Sequence, residues 1–394
     1  MVDSSAELPR VFLHVGLPKT GTTFLQRLLR ENRDLLAAHG VQYPADGPGT
    51  MFNGAIEVRD AYDHWGRPPE QIGGTWDRLC EQARQFPGST VLGHEIMAAA
   101  TPRQVERVGA DLEGAELHLV VTVRDLGRQI PAWWQEWVKD RRSTTFAETM
   151  DRQVLPGWDV ERKKSMFWQS QDLVGVLRRW GAVVPPERTH VVTVPPSGAD
   201  ALELWRRFLE AIGITQRLEV DPGPRSNESL GITEVALLRG TNKALGDRLV
   251  QPHYGPVVKH WFTGAVLSPR SSSRPMLPAD WSERVEQMTD RWRSHLAGSP
   301  IRVHGSLDDL APTVAEPGAP APDDVTDADI AGLAPRVVAD LLLEVSRLRQ
   351  ERQQLQVELA AAQQPGPAVS LLRRGRHLLG RVRRRALGRR DQPQ

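Results

Sequence analysis

Val11-Phe-Leu-His-Val-Gly16-Leu-Pro-Lys19-Thr-Gly21-Thr-Thr-Phe-Leu-Gln26 runs from an apolar strand-like segment through a glycine- and threonine-rich turn into a helix-like one. Backbone N–H groups at the start of such a helix converge on one point, and the helix dipole adds positive potential there. Gly21 lets the backbone approach an anion closely. Thr22 and Thr23 add hydroxyl donors. Gly16 and Gly21 have the spacing of a nucleotide-binding phosphate loop, but Thr22 stands where that motif requires lysine. The lysine of this loop is Lys19, two residues before Gly21.

The rest of the chain follows the same alternation. Leucines and Phe24 on Thr23–Ala38 are spaced for one buried helix face. Thr90–Gly93, Leu117–Val123 and His190–Val194 read as further short strands. Helical patterns between them supply crossovers, so the sequence predicts an α/β fold of the three-layer P-loop type, its central parallel sheet flanked by helices. Residues 45–75 and 251–278 are rich in Gly and Pro and are expected to be irregular.

The folded body is expected over residues 1–310. A Pro-, Ala- and Asp-rich stretch, 311–332, reads as a solvated linker. Over 333–363, Val338, Leu341, Val345, Leu348, Arg352, Leu355 and Leu359 alternate three and four apart, the seam of a heptad helix. Residues 364–394 form a basic tail, amphipathic or disordered. Leu371 to Gln394 holds nine Arg and one Asp, so a formal net charge of +1 conceals a mildly acidic body.

Cys80 is the one cysteine among 394 residues, which excludes an internal disulfide framework and a cysteine-built metal site. No apolar run reaches the length of a membrane span. The N-terminal ten residues lack a signal-peptide core, and a cytoplasmic location is expected. Six Lys among 50 basic residues, with abundant Ala, Gly and Pro, suggest a GC-rich bacterial source.

Pro18-Lys19-Thr20-Gly21-Thr22-Thr23-Phe24-Leu25 resembles the 5′-phosphosulfate loop of the sulfotransferases that use 3′-phosphoadenosine 5′-phosphosulfate (PAPS). The resemblance implies that Thr20–Thr23 hold the 5′-phosphate, that Phe24 lies against the adenine, and that Lys19 approaches the bridging oxygen of the P–O–S linkage. Val120-Val-Thr-Val-Arg124-Asp125-Leu-Gly-Arg128 resembles the family's 3′-phosphate element, with Arg124 as the clamp. Many members carry a serine eight residues after that arginine; here it is Ala132, and Arg128 is the expected substitute. Looser similarity extends to about residue 245. The family implies PAPS as co-substrate, no metal, and a hydroxyl-bearing acceptor such as a glycan, glycolipid or small natural product.

An attacking hydroxyl must lose its proton, and His94-Glu95 closes a predicted strand where ligands collect in parallel sheets. Relatives acting on carbohydrates or peptides use a glutamate from this region, which favours Glu95; His94 is the other candidate. Strand alternation allows one of the two to face the cleft. His14 reads as a core histidine. Trp133 and Trp137 read as core rather than as a sugar platform, and Glu136 and Lys139 as solvated surface.

Two other readings stand against this one. A P-loop kinase needs a lysine at position 22 and a magnesium carboxylate directly after Val123, where Arg124 stands. A non-catalytic, membrane-associated interaction protein would keep the fold and assemble through its heptads. The seam over 338–359 is expected to pair two chains, and residues 371–390 to meet an anionic membrane surface. Lacking aromatic residues, the tail is not expected to bind nucleic acid.

Overall fold

The structure is a computed structural model, described here over residues 8–156, 165–223, 229–270 and 272–363. The basic tail expected over 364–394 lies outside the described residues. The chain divides into two units, Met1–Ala331 and Gly332–Gln394.

Six parallel strands form one sheet: β1 (Arg10–His14), β2 (Val41–Gln42), β3 (Ser89–Leu92), β4 (Glu116–Val123), β5 (Thr189–Thr193) and β6 (Arg302–His304), in the order β2-β3-β1-β4-β5-β6. The four predicted strands are present, each shifted by one residue or less at its ends. β2 and β6, two and three residues long, carry no periodic signal and escape the sequence reading. Because β3 and β4 flank β1, the chain crosses over β1 between them. The loops after β1 and β4 therefore border the crevice where open parallel sheets take ligands. Leu13, Val91, Leu119, Val121 and Val123 are fully buried or nearly so, as expected for strands covered on both faces.

The predicted helix Thr23–Ala38 is two helices, Thr22–Glu31 and Arg33–Ala38, broken at Asn32, whose side-chain amide donates to the Leu28 carbonyl at 2.9 Å. Such side-chain-to-backbone bonds compete with helix continuation. Leu25, Leu28 and Leu29 are completely buried beneath the sheet-facing side, each contributing about 2 kcal/mol of apolar burial.

Three expectations of irregularity are corrected. Residues 45–75 contain the helices Thr50–Val58, Tyr62–Trp65 and Pro69–Ile72. The 251–278 stretch contains a thirteen-residue π-helix, Gly255–Leu267. The stretch after Pro312 is tethered at both ends up to Asp323, with residues 316–320 between them exposed. The Thr313 amide donates to Asp125 at 3.0 Å, and Ala315 to the Leu277 carbonyl at 2.8 Å. Asp323 accepts from the Phe146 and Ala147 amides at 2.9 Å each. Backbone donors and carboxylates supply contacts that hydropathy does not register.

His118, His190 and His304 form a ladder across β4, β5 and β6, with ring nitrogens 3.2 and 3.1 Å apart. Glu116 holds the outer nitrogen of His118 at 2.9 Å. The second unit contributes the body of one long helix, Asp327–Gln363.

Candidate active site

The phosphate loop is set by sterics on both sides of Lys19. A Cβ on Gly16 would sit 2.1 Å from the Thr122 hydroxyl oxygen. Gly21 caps the following helix at φ 84°, a left-handed conformation that glycine adopts without strain. Lys19 itself takes φ 73°, uncommon for a residue with a side chain and typical of strained functional turns. No side chain caps the helix that begins at Thr22, which leaves its first-turn amides open to an anion.

Thr20 turns inward. Its hydroxyl donates to the Leu17 carbonyl at 2.6 Å and bonds Thr122 Oγ1 at 2.6 Å, so it builds the loop rather than facing a ligand. The Pro18 carbonyl accepts from the side-chain amides of Gln129 and, at 3.1 Å, Gln171; both glutamines are fully buried. Neither has a sequence signal beyond its residue type. Thr22 is buried against the site and Thr23 is exposed. Phe24 lies under the Arg27 guanidinium, 5.7 Å from its ring centre.

Glu95 reaches this loop, and His94 lies against Glu95. β3 ends at Leu92, and Gly93, at φ 114°, breaks the strand alternation that would separate them. His94 Nε2 lies 3.4 Å from Glu95 Oε2, and His94 Nδ1 accepts from the Ile96 amide at 3.3 Å. Glu95 also accepts from Gln26 at 3.1 Å. Burial alone would raise the Glu95 pKa, but His94, Thr22 and the Lys19 charge outweigh it and hold the carboxyl below its usual range. Burial lowers the His94 pKa, with Glu95 opposing.

The expected solvated pair, Glu136 and Lys139, instead belongs to the site. Lys19 Nζ lies 2.9 Å from Glu136 Oε1, Lys139 Nζ 3.3 Å from the same oxygen, and Lys259 Nζ 3.5 Å from Oε2. Lys259 also pairs with Asp140 at 2.6 Å. Burial opposes ionisation of Glu136, yet three ammonium groups keep its pKa far below the ordinary carboxylate range. Lys139 is lowered, first by burial and then by the neighbouring lysines, despite Glu136. Lys259 is raised, because Asp140 and Glu136 overcome its burial.

Aromatic contacts close the circuit. Lys259 Nζ lies 5.9 Å from the Trp65 ring centre; Trp65 meets Phe52 edge-on at 5.0 Å; Phe52 meets His94 at 5.1 Å. Lys19, Glu136, Lys259, Trp65, Phe52, His94 and Glu95 thus follow one another around the crevice. Trp133 is buried and stacks on Trp137 at 4.9 Å; Trp137 itself is half-buried, with the Arg142 guanidinium 4.6 Å from its ring centre.

Arg124 leaves the end of β4 as a half-buried arginine whose Nε is itself buried and has no hydrogen-bond partner among the described residues. Burial pulls its pKa down to about 10, and the Arg128 and Arg274 charges press the same way while Asp125 opposes. An orphaned, desolvated guanidinium calls for an anion. Arg128 is committed elsewhere: its Nε is bonded to Asp125 and its Nη1 to the Pro195 carbonyl at 3.1 Å. Asp125 is itself filled by Arg128 and by the amides of Arg128 and Thr313, each at 3.0 Å. His14 is buried at 3.5 Å from Thr122 Oγ1, its pKa lowered by burial to about 4, a neutral core histidine.

No family model matches the chain, and no curated protein matches it. Among solved structures, a sulfotransferase from Alicyclobacillus acidocaldarius aligns over 61% of this chain and 97% of its own, with 16% sequence identity and a TM-score of 0.39. A likeness this loose assigns no role and no ligand to any residue here.

Proposed function

We propose that the chain is a PAPS-dependent sulfotransferase acting on an acceptor hydroxyl. The observation that carries the reading is the pairing of two anion sites at neighbouring strand ends: the glycine-framed loop with Lys19, and the orphaned Arg124 guanidinium. A nucleotide with phosphates at both the 5′ and 3′ positions has one anion for each of the two sites. The residues fit the group: Gly21 leaves the backbone open, the first-turn amides carry no side-chain cap, and the Arg124 Nε has no hydrogen-bond partner among the described residues. Arg274, whose charge reaches Arg124, is a better candidate than Arg128 for the donor missing at Ala132.

PAPS supplies the sulfuryl group. Lys19 stabilises the charge that accumulates on the leaving oxygen, an interaction stronger in the transition state than in the ground state. Glu95 takes the acceptor proton, with His94 and Gln26 fixing its orientation. Phe52 and Trp65 offer flat apolar faces beside that base, which suit a sugar ring or a small aromatic acceptor. Magnesium–nucleotide chemistry is disfavoured by the full commitment of Asp125.

Calorimetric titration tests the reading. Adenosine 3′,5′-bisphosphate is expected to bind without added metal, and ATP with magnesium to bind far more weakly. No binding of the bisphosphate, or strict dependence on magnesium, overturns it. Incubation with sulfate-labelled PAPS and an extract of the source cells then identifies the acceptor.

A further inference from the structure

The helix Asp327–Gln363 is continuous across the whole heptad stretch. Along its seam Val338, Val345, Leu348, Leu355 and Leu359 keep 45–63% of their surface exposed, and Leu341 keeps 36%. Six apolar seam positions, interrupted by Arg352, run as a stripe along about 33 Å of helix, with Leu342, Leu343 and Val357 also exposed beside them. An isolated helix gains little from propensity alone and is stabilised by covering such a stripe.

We infer that this stripe is covered by the same stripe of a second copy of the chain, in a parallel, in-register, two-stranded coiled coil. This goes beyond the proposed activity and does not depend on it. Three features of the residues select the occupant. The first is the shape of the core positions. Of the four a positions, Val338 and Val345 are β-branched, Arg352 is charged and Leu359 closes the seam, while Leu341, Leu348 and Leu355 fall at the d positions. A β-branched residue at a with leucine at d favours two parallel strands over three or four.

The second is charge. Glu344, Glu351 and Glu358 all fall at g, while the e positions hold Leu342, Arg349 and Gln356. In a parallel pair each g residue faces the e residue five positions on in the partner helix. The facing pairs are then Glu344 with Arg349 and Glu351 with Gln356, which include one attraction and no repulsion. In an antiparallel pair g faces g, so glutamates meet glutamates in every fully overlapped register. Like-charge juxtaposition of this kind discriminates orientation even where each pair is weak.

The third is Arg352, the one charged residue at a core position. In register, the two Arg352 side chains meet and extend their guanidinium groups outward past the seam. Any shift by a heptad buries an arginine against valine or leucine. A polar a position fixes register and strand number in this way, at a cost in stability.

Sedimentation of the full chain and two cysteine variants test the inference. Cys80 is buried and is the chain's one cysteine, so the parent protein provides a background without cross-links. The full chain is expected at twice its 43.9 kDa mass. Leu341→Cys and Leu355→Cys, each alone, are expected to form a same-residue disulfide under mild oxidation, since d positions of a parallel pair lie within disulfide reach. Leu348→Asp is expected to weaken the dimer at least a hundredfold. A monomer, a trimer, a dimer that neither cysteine captures, or a dimer indifferent to Leu348→Asp overturns the inference.

Discussion

Lys19 and Glu136 form an ion pair at 2.9 Å, joining the phosphate loop to the helix Leu126–Lys139 that follows Arg124. Glu136 is the common partner of three lysines, so its removal acts on binding and stability with opposite signs. Glu136→Gln takes a negative charge from beside the phosphate loop and leaves three ammonium groups facing a neutral amide. Adenosine 3′,5′-bisphosphate is expected to bind several-fold more tightly to this variant, while its melting temperature falls. Thermal unfolding with and without the nucleotide separates the two effects. Weaker binding would show that Glu136 contacts the ligand productively.

Arg124→Ala divides the same two quantities the other way. A partly desolvated guanidinium whose Nε is unpaired among the described residues costs stability in the free protein, so the variant's melting temperature without ligand should match or exceed that of the parent. Loss of a charged hydrogen bond to a phosphate is worth about 1.5–3 kcal/mol, so bisphosphate affinity should fall about 10- to 150-fold. A large drop in stability without ligand would mark Arg124 as structural.

Lys19→Ala should lower turnover by about 10²–10³ while nucleotide affinity falls less, as expected for loss of one transition-state contact. Glu95→Gln should lower turnover and leave bisphosphate affinity intact. Because Glu95 is held below the usual carboxylate range, the acid limb of the parent's turnover should lie below that range, and turnover should be flat near neutrality. An activity that survives Glu95→Gln points to His94.

Stability should depend on pH through His14 and His190. Burial lowers their pKa values to about 4 and about 3, and His304 and His118 add to the shift of His190. Between those values and the unfolded histidine value of about 6.5, the unfolded chain binds more protons than the native one. Their contribution is therefore complete above about pH 6.5 and is lost as pH falls toward 4 and then 3. Denaturant midpoints across pH 3–7 should decline in that window. His190→Asn should flatten the part assigned to the ladder; an unchanged slope removes the assignment.

Local sequence determined the loop, the four long strands and the heptad helix, because each is written in neighbours a few residues apart: Gly16 to Gly21, Leu117 to Val123, Val338 to Leu359. It also singled out Glu95 and His94 by their place at a strand end, and Lys19 and Arg124 by the resemblance of their segments to sulfotransferase phosphate elements. Tertiary structure alone decided which charges share the site. Glu136 and Lys139 lie on a helix face whose neighbours are Lys19 and Lys259, more than a hundred residues away from each on one side or the other. A carboxylate on an amphipathic helix looks solvated until another segment covers it. The same holds for the Thr20 hydroxyl, which Leu17 and Thr122 of the adjacent strand take up, and for Arg128, whose fork Asp125 and Pro195 fill. Hydrogen bonds and ion pairs form between groups that the fold brings within about 3 Å, and no periodicity in the chain encodes which groups those are.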